Sequence, residues 1–108
     1  HKRKELVELL ENKDDFNHLT KDVLHALDLG RRAPSALNSQ LWRFGFEDGF
    51  RTIIIAMSEE YRHVKWEHPN VDIGICACHV WLGLIDGGHD PKVVIYEDSG
   101  RAVWKISI

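Results

Sequence analysis

The sequence of 108 residues has few cysteines, no long apolar run and no excess of positive charge. Its two cysteines, Cys76 and Cys78, are too few and too close together for a disulfide framework, which favours a reducing compartment and a cytoplasmic location. The net charge of −3 offers no basic surface to nucleic acid. No apolar run reaches the roughly 18 residues of a membrane span. Neither nucleic acid nor a membrane is therefore expected as a partner.

The residues that are present have the balance of a globular protein, with 44% hydrophobic and 29% charged. A chain of this length suffices for one domain, which we expect to span residues 1–108. The periodicity of apolar residues and the turn signals then divide the chain. The predicted elements are a helix (2–11), a loop (12–19), a helix (21–32), two strands (42–47 and 51–57), a connection (58–69), a helix (71–85) and a hairpin (92–96 and 101–108).

Hairpins rather than repeated strand–helix–strand units predict an α+β fold with a mostly antiparallel sheet. The helix at 71–85 is apolar on nearly all sides, which is typical of a buried central helix lying across the sheet. Small residues in it, among them Gly74 and Gly83, would let neighbouring backbones approach closely.

The stretch from residue 31 to 46 joins the second helix to the first strand and carries more hydrogen-bonding side chains than a turn needs. Pro34 disfavours helix at the preceding residue, and Ser35 can cap a new turn over residues 36–39. Such a turn would offer free backbone N–H groups to an acceptor. Loops on rigid scaffolds often carry sites, although this one could also satisfy only its own backbone.

The sequence around Cys76, Cys78 and His79 raises the alternative of a metal site. A zinc site needs about four ligands, and no second pair with suitable spacing is present. We therefore predict buried structural cysteines and a core or interface histidine, and no metal.

Two segments resemble the flavin-dependent nitroreductase family. R-R-A-P-S-A-L-N-S-Q-L-W-R-F (31–44) resembles its R-x-A-P-S-x-x-N-x-Q-P-W-x-F segment, and N-V-D-I-G-I-C-A-C-H-V-W-L-G-L-I-D-G-G (70–88) resembles its central helix. The resemblance implies a nitroreductase-like fold and a homodimer that binds FMN at the interface. NAD(P)H would reduce the flavin, and nitroaromatics, quinones or similar small molecules would accept the electrons. The chain is much shorter than such enzymes and resembles a minimal or half-length relative.

The resemblance also assigns candidate flavin contacts within the polar stretch. Asn38 and Gln40 can hydrogen-bond the pyrimidine edge of the flavin ring, and Leu41 or Trp42 can line the apolar pocket that holds the ring. No catalytic acid or nucleophile is needed, because the flavin carries the chemistry. Leu41 stands in place of the family's proline. The lack of a match in 1–20 to the family's arginine-rich phosphate motif and the short length favour the alternative of a dimeric binding or structural module without catalysis. The predicted cofactor-binding residues are Arg31, Arg32, Pro34, Ser35, Asn38 and Gln40.

Overall fold

The computed structural model describes residues 4–34, 40–59 and 69–108, except for the side chain of Pro69. The helices predicted over 21–32 and 71–85 and the four predicted strands are present, with bounds that differ by a few residues. The regular elements are α1 (Lys21–Arg31), β1 (Trp42–Glu47), β2 (Thr52–Met57), α2 (Pro69–Asp86), β3 (Lys92–Asp98) and β4 (Arg101–Ser107).

The four strands form one antiparallel sheet in the order β1-β2-β4-β3. One row of paired residues crosses all four strands, from Phe44 through Ile55 and Trp104 to Ile95. The helix α2 packs against this face of the sheet at β2 and β4, and α1 packs on α2. The α+β architecture with a largely antiparallel sheet is therefore confirmed.

The two helices meet at glycines that have no room for a side chain. A Cβ at Gly83 of α2 would lie 2.8 Å from the Cα of Ala26 in α1, and one at Gly30 would lie 2.5 Å from a methyl of Val80. A Cβ at Gly74 would meet only the ring of Trp104, at an ordinary 3.8 Å. The close approach expected in the central helix is therefore made at Gly83 and not at Gly74.

The predicted helix over residues 2–11 is wrong for the described part of that range. Only a short 3-10 helix, Leu6–Leu9, forms there, and the chain then runs parallel to β1 with a bridge from Leu10 to Phe44. The N–H of Glu11 donates to the carbonyl of Phe44 at 2.9 Å, so the edge of the sheet competes successfully with helix formation. The expected loop at 12–19 likewise contains a second 3-10 helix, Lys13–His18.

The prediction of a helix buried all round is also wrong for α2. A stripe of apolar side chains along it is exposed: Val71, Cys78, Leu82 and Ile85. The opposite sides of the helix are covered by α1 and by the sheet, whereas no described element covers the stripe. The apolar pattern thus predicted burial correctly where α2 faces α1 and the sheet and incorrectly along this stripe.

Candidate functional site

Gln40 fixes the C-terminal end of the bend between α1 and β1, where the chain enters β1. This buried residue has a left-handed φ of 48°. Its Oε1 accepts from the backbone N–H of Lys4 at 2.6 Å, and its Nε2 donates to the carbonyl of Arg31 at 2.8 Å. One amide side chain therefore ties the N-terminal segment and the end of α1 to the start of β1.

The two arginines that precede the bend are placed differently. The Nη1 of Arg31 donates to the carbonyl of Lys4 at 3.2 Å, so its guanidinium points towards the N-terminal segment. Both arginines pair with Asp28, at 2.7 Å from Arg31 and 3.1 Å from Arg32. The side chain of Arg31 is 20% exposed and that of Arg32 is 53% exposed. Arg32 is therefore the cation more accessible to a ligand.

Sequence reasoning missed Arg43, which is buried at the start of β1 although it carries a charge. Its Nη1 donates to the carbonyls of Gln40 and Trp42, at 2.9 Å and 2.7 Å. Buried charges are stable only with such partners. Strand alternation places this residue on the face opposite Trp42, which a sequence pattern assigns to solvent, so no local signal could have revealed its role.

Leu41 and Trp42, which we expected to wall a flavin slot, are fully buried and belong to the hydrophobic core. Among the described residues, the buried indole Nε1 of Trp42 has no hydrogen-bond acceptor. A buried polar group without a partner costs roughly 1–3 kcal/mol, and its presence next to the bend is consistent with a ligand that carries carbonyl oxygens. This one donor fits a carbonyl oxygen of the kind that the pyrimidine edge of a flavin carries.

A cavity of about 330 Å³ lies beside the second end of the bend. The N–H of Ser58, one of its lining residues, donates to the carbonyl of Leu41 at 2.8 Å. Two carboxylates line the cavity with Arg43, so it is unfavourable for a phosphate. The lining residues are Leu10, Glu11, Arg43, Ser58 and Glu59.

Of the predicted site residues, the structure brings Arg31 and Gln40 into direct contact and leaves Pro34 exposed near them. Arg32 lies at the end of α1 beside Arg31. Ser35 and Asn38 lie outside the described residues.

Cys76, Cys78 and His79 of α2 lie in different environments. Cys76 is buried, and burial raises the pKa of its thiol well above the usual value. Cys78 is exposed, so the prediction of two buried cysteines is wrong for this one. The Nδ1 of His79 hydrogen-bonds the carbonyl of Ile75 at 2.8 Å. Within residues 4–34, 40–59 and 69–108, no three His, Cys, Asp or Glu side chains are grouped to hold a metal ion.

A second polar cluster joins the start of α1 to the segment after α2. Asp22 accepts from the hydroxyl of Thr20 at 2.5 Å and hydrogen-bonds the Nε2 of His89. These two contacts, the Thr20 hydroxyl first, lower the pKa of Asp22 from 3.8 to about 2. The carboxylate borders a cavity of about 270 Å³ that His18 and Arg51 also line. The cluster connects segments 67 residues apart and stabilises their packing.

We expect Asp22→Asn to destabilise the protein near neutral pH and to have little effect near pH 2. A carboxylate whose pKa is lower in the folded state contributes stability above its unfolded pKa of about 3.8 and loses it as the pH falls towards 2. The side chain is 35% exposed, so screening by water reduces the expected loss to about 1 kcal/mol. Urea denaturation from pH 2 to 7 measures it. Asp90→Asn, at an exposed surface pair, serves as the control. A loss that is the same at all pH values would contradict the assignment.

The sequence and the fold are similar to those of known proteins. Residues 1–84 match the model of the family described as "Putative TM nitroreductase". A crystal structure of a "putative nitroreductase" from Thermotoga maritima has the same fold, with a TM-score of 0.71 and 24% sequence identity. The alignment covers 99% of this chain and 42% of that one, so this chain spans less than half the length of its structural relative. No curated protein matches the sequence.

In the part of the chain that the structure describes, no helix combines the length and the hydropathy needed to cross a bilayer.

Proposed function

We propose a function from one premise: the chain belongs to the nitroreductase family described as "Putative TM nitroreductase", whose model it matches over residues 1–84. The protein is an FMN-dependent oxidoreductase of nitroreductase type that acts as a homodimer. Bound FMN would carry hydride from NAD(P)H to a small-molecule acceptor such as a nitroaromatic or a quinone. Its free thiols, Cys76 and Cys78, agree with a cytoplasmic location.

The observation that carries the proposal is the anchored bend between α1 and β1. Its first end is held by Arg31 through the carbonyl of Lys4, and its second end is held by Gln40 and Arg43. A loop fixed at both ends can present its polar side chains in one arrangement, which a binding site requires. We assign Gln40 and Arg31 as residues that position the bend, since their polar groups already bond within the chain.

The contacts to FMN fall to the residues between these anchors. We propose that Ser35 and Asn38 supply hydrogen bonds and that Pro34 contributes the shape of the turn. Arg32 would contact the phosphate, because its guanidinium is more exposed than that of Arg31. The buried Nε1 of Trp42 would donate to a carbonyl oxygen of the ring.

The proposal is tested first by an ultraviolet–visible spectrum of freshly purified protein and by titration with FMN. We expect a yellow protein, or one that binds added FMN, and loss of the flavin absorbance when NADH or NADPH is added without oxygen. A colourless protein that takes up no FMN would exclude this function.

Asn38→Ala should weaken FMN binding by about 1–3 kcal/mol, because a buried hydrogen bond to the ring would be lost. Quenching of FMN fluorescence during titration measures the dissociation constant. Asn17→Ala changes an exposed asparagine outside the bend and should leave the affinity unchanged. An Asn38→Ala variant with wild-type affinity would remove this residue from the site.

A second candidate function is a dimeric binding or structural module that keeps the fold without catalysis. It is favoured by the sharing of Asp28 between Arg31 and Arg32, which leaves one net positive charge for a phosphate. A dimer that binds no FMN would support this module. Turnover of added FMN by NADH or NADPH would exclude it.

A further inference from the structure

The cavity of about 270 Å³ beside Asp22 lies at the end of α1 that is farthest from the bend. Four segments of the chain meet around it: residues 18–23 at the start of α1, residues 49–51 between β1 and β2, His89 after α2, and Ile108 after β4. The 11 residues of α1 rise about 1.5 Å each, so roughly 15 Å separate this cavity from the bend. The cavity is therefore distinct from the proposed flavin site.

Two stacked rings, those of Phe50 and His18, line one part of the cavity. Their centroids are 5.4 Å apart and their planes differ by 18°. Aliphatic side chains of Leu19, Val23 and Ile108 line the rest of its apolar surface. Flat rings and aliphatic groups around a concave space suit a ligand with an apolar, planar body.

The backbone of Phe50 is strained in a way that its own side chain does not favour. Its φ is 69°, which is rare for a bulky residue and which glycine would adopt without strain. Such strain is concentrated at sites where a side chain is needed in one place. The ring of Phe50 is therefore kept at the cavity at a local conformational cost, which supports a role for this ring in binding.

Arg51 brings a positive charge to the cavity. Its N–H donates to the carbonyl of Asp48 at 3.2 Å, and its carbonyl accepts from the N–H of Ile108 at 2.8 Å, so its backbone is fixed on both sides. Its side chain is exposed, and no described residue forms an ion pair with its guanidinium. A planar guanidinium binds a carboxylate through two parallel hydrogen bonds. Arg51 is therefore placed to receive an anionic group from a ligand.

Asp22 is the one acidic side chain among the described residues that line the cavity. Both of its oxygens already have partners, since Oδ1 accepts from the hydroxyl of Thr20 at 2.5 Å and Oδ2 hydrogen-bonds the Nε2 of His89. Its charge is thus directed to the contact between α1 and the segment after α2. The positive charge of Arg51 is left for a ligand.

We propose that this cavity binds a small aromatic carboxylate. The carboxylate pairs with the guanidinium of Arg51, and the ring of the ligand lies against the rings of Phe50 and His18. The apolar lining and the negative charge of Asp22 disfavour a phosphate, which is strongly hydrated and carries more charge. The inference is independent of the proposed oxidoreductase function, because it uses none of the residues at the bend.

Four probes test the chemical class of the ligand, each titrated into the protein and followed by ¹H–¹⁵N NMR. Benzoate carries both the ring and the carboxylate, benzyl alcohol carries only the ring, acetate carries only the carboxylate, and the fourth probe is inorganic phosphate. We expect benzoate to bind at least about tenfold more tightly than any of the others, with shifts at Phe50, Arg51 and His89. Equal affinity for benzoate and either half-probe, or tighter binding of phosphate, would overturn the assignment.

Arg51→Gln tests the proposed partner of the carboxylate. Glutamine keeps both backbone hydrogen bonds of this position, so the stability of the variant to urea should match the wild type. We expect its affinity for benzoate to fall about tenfold or more, and its affinity for benzyl alcohol to stay the same. Arg101→Gln, at the end of β4 opposite to Ile108, is the matched control and should bind benzoate as the wild type does. Wild-type affinity in Arg51→Gln would overturn the site.

Phe50→Gly and Phe50→Leu test the aromatic wall. Glycine relieves the left-handed φ but removes the ring, whereas leucine keeps the strain and the apolar bulk. We expect benzoate to bind about tenfold more weakly to both variants, because neither stacks on the ligand. Wild-type affinity in either variant would overturn the role of the ring.

Competition with FMN separates this inference from the proposed function. We expect bound benzoate to remain when FMN is added, because roughly 15 Å lie between the cavity and the bend. Displacement of benzoate by FMN would place it at the bend and would overturn this site. Benzoate binding by a protein that takes up no FMN would refute only the oxidoreductase.

Discussion

Gln40→Ala is expected to lower the free energy of unfolding by about 2–4 kcal/mol. The side chain is buried, and alanine would remove both the acceptor for the N–H of Lys4 and the donor to the carbonyl of Arg31. Leaving buried backbone groups without partners costs more than the net value of the hydrogen bonds themselves. Urea denaturation followed by circular dichroism measures the loss.

Two further variants assign that loss to the side-chain amide. Gln40→Glu keeps an acceptor for Lys4 but sets a buried carboxylate oxygen against the carbonyl of Arg31, so at neutral pH it should be no more stable than alanine. Gln40→Gly relieves the left-handed φ of 48° without restoring either bond, and so should recover only part of the loss. If alanine were as stable as the wild type, the bend would not be anchored by this residue.

The same variant has a consequence for the proposed flavin site. A positioning residue acts through the loop, so Gln40→Ala should weaken FMN binding at temperatures where the protein is still folded. Arg32→Ala should weaken binding too, but with little effect on stability, because its side chain is half exposed. This contrast distinguishes the residue that shapes the bend from the residue proposed to contact the phosphate.

Gly83→Ala and Gly74→Ala are expected to change stability in opposite directions, by a difference of about 2–3 kcal/mol. Both glycines lie in α2, so alanine has the same gain in helix propensity at each. At Gly83 the new Cβ would lie 2.8 Å from the Cα of Ala26, and no side-chain rotation relieves a contact with backbone. At Gly74 it would meet only Trp104 at 3.8 Å.

Thermal and urea unfolding of the two variants measure this difference. We expect Gly74→Ala to be slightly more stable than the wild type and Gly83→Ala to be clearly less stable. Two variants of equal stability would show that α1 can move away from α2 at little cost, which would refute the close helix contact.

The resemblance of two segments to nitroreductases was confirmed by the family match over residues 1–84. The local patterns that predicted α1, β1, β2 and the hairpin were also correct, since each depends on residues close together in sequence. Asp48, Gly49 and Phe50 have left-handed φ values in the loop that joins β1 to β2. The site residues Arg31, Arg32, Pro34, Ser35, Asn38 and Gln40 remain a prediction.

The errors share one physical cause, which is that burial depends on distant neighbours. The apolar pattern of α2 predicted a helix buried all round, yet which sides are covered depends on where α1 and the sheet pack. Residues near Leu10 have an amphipathic pattern, but the open edge of β1 draws them into an extended path. Arg43 appeared to be a solvent-facing residue of a strand until the carbonyls of the bend were placed around it.

The sequence by itself determined the order of the elements from α1 to β4 and the antiparallel sheet, because periodicity and turn residues act locally, and two of its segments carried the resemblance to the family. Only the tertiary structure decided that Gln40 is an anchor, that Gly83 is the close contact and that one side of α2 and the edge of β3 are open. Each of these depends on atoms more than thirty residues apart in sequence, or on the absence of a neighbour among the described residues, and no local pattern encodes such distances.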